Sequence, residues 1–408
     1  MPDNVLDLVA VAAQLSRMRG GLAAYGQETV PRLAAALGAW ERAAAMGPAL
    51  RDRVAKAKTS WLVAEPLEPL TAYDVGPATD YRVVASDGSQ ILPDRHERLP
   101  CFLVNVGIVD IDYATSAVKL ESIPQLYWAP GDVFCTFGGI RMEADGRVVG
   151  ARRFAQECDA LRGCLRERSP RPQVALTDGT LLLWWLEPSP QRLRSLASDD
   201  VKTQTLGALD ALTESAKDAG ALPAAYLSGP RTNDVISMLK VVLCTEDPVD
   251  CDHCPYVSGA KAWTAQLEIA GASLLPVPDK PCEDADPIGD AGIFWSLLER
   301  GQRSPRFRSA ARVTEAYSAP VDFVYLHVGP EIARLEFPAW VTPNGLETLA
   351  ACVLDQCDKG RGYPVALSEA HEQAVVRAAD RRVFDDLARR QDVSRPTAKL
   401  MRKRTSVL

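Results

Sequence analysis

Residues 81–89 read Tyr-Arg-Val-Val-Ala-Ser-Asp-Gly-Ser, a run of β-formers that ends on a small, turn-compatible triplet. Two more strand-like stretches follow, residues 101–113 (CFLVNVGIVDIDY) and 117–127, joined by a short turn at Ala114-Thr115-Ser116. Three consecutive strands with short links predict an antiparallel meander. The spacing of Phe154, Cys158, Leu161 and Leu165 then predicts a helix over 151–168, and residues 174–186, bracketed by Pro172 and Pro188, read as a buried strand. A second amphipathic helix (Val201, Thr205, Ala208, Leu209, Leu212, Ala216) leads to a strand at 224–228. Hairpins first and helix–strand alternation afterwards predict an α/β fold, a mixed sheet with flanking helices.

Outward from this core, residues 1–75 are Ala/Leu-rich with helical rhythm and predict a helical N-terminal arm. Residues 244–315 are rich in Cys, Pro and Asp and read as an irregular insertion. Strand patterning returns at 321–328 and 331–337, a long helix is expected from 368 to 390, and 391–408 form a basic C-terminal tail. The expected α/β domain therefore spans 76–243 and 316–390.

At 47% hydrophobic residues the 408-residue chain is too apolar for intrinsic disorder. No apolar run approaches the roughly 18 residues a spanning helix needs, and Met1-Pro2-Asp3-Asn4 lacks a signal-peptide profile, so the expectation is a cytoplasmic protein with no membrane segment. In that compartment the ten cysteines are expected as reduced thiols or metal ligands. The net charge of −7 argues against general attraction to polyanions, but charge is uneven. Residues 377–404 hold ten Lys/Arg against four acids, and Arg300, Arg303, Arg306, Arg308 and Arg312 follow one another with no acid between. Either cluster reads as a polyanion surface or as a solvated face.

Two Asp-Gly pairs share a setting: Ala85-Ser86-Asp87-Gly88-Ser89 and Leu176-Thr177-Asp178-Gly179-Thr180 each follow apolar β-formers and precede a hydroxyl residue. They read as turns, or as strand-borne carboxylates whose desolvation a metal ion would offset. Glu157 lies on the apolar stripe of its helix, as a ligand or as an edge carboxylate paired with Arg153 or Arg162. His371 interrupts a stripe formed with Leu367, Val375 and Ala378, as a ligand or a satisfied core histidine. Together three hard oxygen donors and one imidazole suit Mg²⁺ or Mn²⁺, with the nitrogen favouring manganese. Paired ions of that kind support in-line phosphodiester hydrolysis.

At these residues the sequence resembles the NurA nuclease family. The first Asp-Gly-Ser segment, the 152–157 helix and the 176–181 segment match in order, followed by Leu297-Leu298 to Arg303-Ser304, Arg334-Leu335-Glu336-Phe337-Pro338, and Gly362-Tyr363-Pro364 to His371. The resemblance implies an RNase H-like core and a manganese-dependent nuclease that acts on DNA as an exonuclease and endonuclease. It also implies a homodimer working on DNA ends with a HerA-type hexameric ATPase. Asp87, Glu157, Asp178 and His371 become the expected catalytic and metal-binding residues. The alternative is a catalytically inactive DNA-end clamp or regulatory adaptor of that translocase, and an RNase H-like enzyme acting on RNA or a hybrid is a third reading.

Two features depart from the family pattern. Where archaeal members carry a Ser-Lys pair, this chain reads Ser228-Gly229-Pro230-Arg231, with Lys240 further on, so Arg231 and Lys240 are the candidates for DNA-phosphate contact. Cys244, Cys251 and Cys254, with Cys282 downstream, have the composition of a structural zinc site or, as a further option, an iron–sulfur site; unliganded thiols are the alternative. His96 is expected in a surface loop and His327 in a strand.

Overall fold

The computed structural model describes residues 7–59, 61–93, 101–137, 140–167, 169–186, 199–254, 280–285 and 288–391. They divide into two compact units. One comprises residues 1–72, 230–299 and 304–310, the other 73–229, 300–303 and 311–408.

The first unit is built on helices Leu8–Met46, Pro48–Lys56, Asp234–Leu243 and Asp290–Leu297. Ala36, Ala39 and Ala43 are fully buried on one stripe of the long helix, and Trp40 beside them meets Phe294 edge-on at 5.6 Å. Small residues at that spacing let helices approach closely, while one large ring fills the remaining gap. Helix Asp234–Leu243 has no side-chain cap from its own Asn233; instead the buried Asp290 accepts hydrogen bonds from the Val235 and Ile236 amides at 3.1 and 2.9 Å. A carboxylate at a helix N-terminus satisfies orphan donors and the helix dipole together.

The second unit contains seven principal strands: β1 (Arg82–Ile91), β2 (Phe102–Asp112), β3 (Ala117–Tyr127), β4 (Gln173–Asp178), β5 (Leu222–Leu227), β6 (Val321–His327) and β7 (Ile332–Pro338). Their order is β6-β7-β5-β4-β1-β2-β3. β1 pairs antiparallel with β2 and β2 with β3; β1–β4 and β4–β5 are parallel; β7 runs antiparallel to both β5 and β6. A meander joined to parallel strands in the order 3-2-1-4-5 is the RNase H-like mixed sheet expected from the sequence. Helices α1 (Gly146–Cys164) and α2 (Asp199–Ala219) follow β3 and β4; α3 (Pro343–Lys359), α4 (Val365–Ala374) and α5 (Ala378–Gln391) close the chain. The core joins Val83 and Ala85 of β1 and Val174 and Leu176 of β4 to Leu349, Val353, Leu367 and Ala370 of α3 and α4. Because side chains alternate along a strand, Ser86 and Gly88 face the opposite layer, where α1 lies.

Several boundaries differ from the sequence reading. β4 ends at Asp178, eight residues earlier than expected, because Gly179 at φ +96° turns the chain; a 3-10 turn, Trp184–Leu186, follows. α1 starts at Gly146, where Asp145 caps the Arg147 and Val148 amides, and stops at Cys164. The long closing helix is two helices, α4 and α5. The expected irregular insertion contains the helix Asp290–Leu297, and the first arm is helical only to Lys56. The Arg300–Arg312 cluster is not one open basic surface: Arg303 is buried, stacked on Tyr73 and paired with Glu347 at 2.6 Å, and Arg300 pairs with Asp358. His327 is a strand residue whose Nδ1 accepts from the Gly329 amide. His96 and the basic tail from 392 lie outside the described residues. Among the described residues no helix is long and apolar enough to cross a membrane.

One contact sets the position of α4. Gly107 of β2 lies opposite Asp87 of β1, and a Cβ there would stand 2.0 Å from the Ala370 carbonyl oxygen and 2.6 Å from the Ala374 nitrogen. The helix backbone thus rests directly on the strand. Asn105 Nδ2 and Ser89 Oγ donate to the Ala374 carbonyl at 2.8 and 2.5 Å, fixing the helix end. Gly107→Ala must push α4 away; it is expected to lower unfolding stability by about 1–3 kcal/mol, read as a reduced urea midpoint. A midpoint equal to wild type would show that α4 does not depend on this contact.

Candidate functional site

Asp87 sits inside β1, not in a turn, and its neighbour across the sheet is β4. The last registered pair is Ser86–Thr177, so Asp87 and Asp178 follow side by side. By strand alternation both point to the α3–α4 face. Asp87 Oδ1 accepts from the Gly88 amide at 2.7 Å, and Oδ2 lies 2.6 Å from His371 Nδ1. Asp178 Oδ1 accepts from the Tyr363 hydroxyl at 3.0 Å. Tyr363 is held edge-on against Tyr226, centroids 5.4 Å apart, and Tyr226 donates in turn to Glu331 at 2.9 Å.

Glu157 arrives from the other layer. A Cβ on Gly88 would stand 2.3 Å from Glu157 Oε1 and 2.6 Å from Arg153 Cγ, so only glycine lets α1 press its carboxylate onto the strand beside Asp87. Glu157 is buried, and Arg153 Nε lies 3.2 Å from its Oε1. Arg153 also donates from Nη1 to the Gly88 carbonyl at 3.2 Å. Glu157 Oε1, Ser86 Oγ and Thr177 Oγ1 are all buried and, among the described residues, have no hydrogen-bond partner. Burial pushes the Glu157 carboxyl up to about 8; Arg153 opposes this, and Asp87 and Asp178 add to it. Asp178 is open to solvent at its tip yet also held above the usual carboxylate range, first by lost hydration and then by Asp87, with the Tyr363 hydrogen bond acting the other way.

The loop after Asp178 is fixed from beneath. Glu336, fully buried on β7, accepts from Thr180 Oγ1 at 2.7 Å and from the Leu181 amide at 2.8 Å, and pairs with Arg334 Nε at 2.9 Å. Arg334 stacks on Phe323, 3.6 Å from the ring centroid. A buried ion pair held in this way is rigid, because releasing either partner strands an ion away from water.

Asp87, Asp178 and His371 therefore meet on one face, and Glu157 joins them through the gap at Gly88. His371 is not inside an apolar stripe as expected: α4 ends at Ala374, its buried face is Ala366, Leu367, Ala370 and Ala374, and the imidazole is 61% exposed. Tyr363 was visible in the sequence only as part of a matching string; no local pattern announces a partner 185 residues away. Arg231 and Lys240 belong to the first unit, Arg231 exposed and Lys240 with its ammonium 5.7 Å from the Trp61 ring centroid. Within the second unit Arg153 contacts Glu157.

Among the described residues no three Cys, His, Asp or Glu side chains stand as a ready-made ligand group. The donor chemistry nonetheless fits a hard divalent cation: three acids are crowded together, two of them with raised pKa, and one buried carboxylate oxygen has no hydrogen-bond partner among the described residues. Without a cation the crowding has a cost that depends on pH. The folded state keeps the Glu157 proton up to about 8, whereas an unfolded chain releases it in the ordinary carboxylate range, so stability falls as pH rises through that window. Glu157→Gln is expected to melt above wild type in chelator at pH 8 and to lose that advantage near pH 4–5. An equal difference at both pH values would contradict the assignment of this cost to Glu157.

The NurA domain matches residues 81–376, more than half of the chain. Among solved structures, the NurA nuclease from Sulfolobus solfataricus is 13% identical, covering 78% of this chain and 86% of that one at a TM-score of 0.49. A NurA bound to dAMP and manganese is 11% identical, with 76% and 88% coverage and a TM-score of 0.35. The RNase H1 LC9 is 13% identical over 50% of this chain and 90% of its own, at 0.21. No curated protein matches the chain. On the extent of the domain match, with the meander, helix and carboxylates all inside it, the chain belongs to the NurA domain family.

Proposed function

We propose that the protein is a metal-dependent nuclease that hydrolyses phosphodiester bonds in DNA, with Asp87, Glu157, Asp178 and His371 as its metal-binding and catalytic residues. One observation carries this reading: Asp87 and Asp178 lie side by side with the buried Glu157 pressed against Gly88 next to them, and the neighbouring carboxylates help hold Glu157 and Asp178 above the usual carboxylate range. Such a cluster is unfavourable until a cation neutralises it. Manganese, or magnesium in its place, is the ion we assign, because an imidazole stands among the carboxylates. When bound, the metal supplies charge neutralisation for the phosphodiester and a more acidic water.

The remaining roles belong to the protein's own groups. Asp87 and Asp178 present oxygens to the substrate side. Glu157, on the opposite layer, would give up its proton to hold the cation from a water-poor setting, where its charge acts most strongly. His371 Nδ1, hydrogen-bonded to Asp87 Oδ2 and exposed on its remaining edge, is placed to take a proton or to orient the attacking water. Tyr363 fixes the orientation of Asp178 by donating to it.

The wider reading rests on family membership. It is an exonuclease with endonuclease activity that processes DNA ends as a homodimer, in the cytoplasm, with a HerA-type hexameric ATPase as partner. Delivery of DNA by a motor agrees with a net charge of −7, since the nuclease then needs little affinity of its own.

The test is cleavage of end-labelled linear DNA with Mn²⁺, Mg²⁺ or chelator, with and without the motor. Wild type is expected to cut only with metal, and Asp87→Ala to lose nearly all activity. Tyr363→Phe, which keeps the ring packing and removes only the hydrogen bond to Asp178, is expected to retain the fold and lose about 10–100-fold. Unchanged cleavage by Asp87→Ala would remove the site assignment. No cleavage by wild type under any condition would favour the DNA-end clamp or adaptor.

A further inference from the structure

The first unit gathers Cys244, Cys251, Cys254 and Cys282 around one cavity of about 300 Å³. They come from three separate segments: the end of helix Asp234–Leu243, the loop after it, and the 3-10 turn Pro281–Glu283. All four are free thiols of intermediate burial. A Cys-rich loop beside a cavity has little apolar surface of its own, so its conformation must be held some other way.

The protein holds two of these segments firmly without engaging the sulfurs. Arg53 donates to the carbonyls of Val241, Cys244 and Glu246 at 3.1, 2.8 and 3.1 Å, closing the helix end just where Cys244 leaves it. The Cys251 amide donates to the Lys58 carbonyl, and the Lys58 amide to Val249, both at 2.9 Å. Asp250 then accepts from the Asp252 and His253 amides, turning the chain between Cys251 and Cys254. A backbone fixed before Cys251 and through the turn to His253 leaves the thiols, among the described residues, as the groups without an assigned task. All four cysteines border the same cavity.

We propose that Cys244, Cys251, Cys254 and Cys282 bind one Zn²⁺ as a structural site that ties the loop and the 3-10 turn to helix Asp234–Leu243. As they stand the side chains do not form a closed ligand group, so they turn inward from the cavity wall on binding. Each coordinating sulfur gives its proton to water and becomes a thiolate; no oxidant is needed. Zinc asks only for four such donors in a tetrahedral array.

The test uses full-length protein purified without chelator, independent of nuclease assays. Elemental analysis is expected to give about one zinc per chain. Cys251→Ser combined with Cys254→Ser should lose most of it, while Asp87→Ala keeps it, so a failure here is separable from a failure of the nuclease reading. Should the double variant not fold, a mercurial titration of wild type in the presence of a chromogenic chelator replaces it: zinc must be released in step with modification of the thiols. Metal-free protein with freely reactive cysteines overturns the proposal, as does iron with acid-labile sulfide in place of zinc.

Discussion

Crowding of carboxylates against two backbone contacts is the constraint on which the second unit depends. Gly107 lets α4 touch β2, bringing His371 to Asp87; Gly88 lets α1 touch β1, bringing Glu157 to the same place from the other side. Neither approach tolerates a Cβ. Two helices from opposite layers are thereby pinned at adjacent points of the sheet, and the acids they deliver or face have lost much of their water. A fold that pays this electrostatic penalty has a site poised for a cation, and the metal would return to the native state what the crowding takes away.

The support for this arrangement reaches beyond the acids themselves. Glu336 and Arg334, far along the chain, are buried as a pair and grip the loop that follows Asp178. Tyr226 and Glu331 brace Tyr363, which in turn fixes Asp178. Ligand orientation in such sites depends on partners of this kind nearly as much as on the ligands.

Much of the second unit was legible in the sequence because its signals are local. The meander showed itself in the alternation of 81–127, Asp87 and Asp178 in their position after apolar runs, and Glu157 as an acid on an apolar stripe. The apolar stripe that singled out His371 is not what the structure shows. A helix running unbroken from 368 to 390 would have buried it, but the chain leaves the helix at Val375 and the residue stays at an open edge. α3 was overlooked although Thr342 before Pro343, followed by Leu346, Leu349, Ala350 and Val353, is a readable helix start and stripe. Tyr363, Glu336 and the glycine contacts were beyond sequence reasoning because their meaning lies in partners on other elements, far away in sequence. The Arg300–Arg312 run stayed open between a polyanion surface and a solvated face because charge density says nothing of Glu347 and Asp358, which engage two of its members.

The account stands or falls on whether the acids of the second unit share a divalent ion. Mn²⁺ binding to DNA-free protein, followed by the loss of the free-ion paramagnetic resonance signal, addresses this without reference to turnover. Wild type is expected to take up Mn²⁺ saturably, and Asp178→Asn to bind at least about tenfold more weakly, as expected for loss of a ligand's charge. Binding unaltered by that substitution, or no binding by wild type, would contradict it.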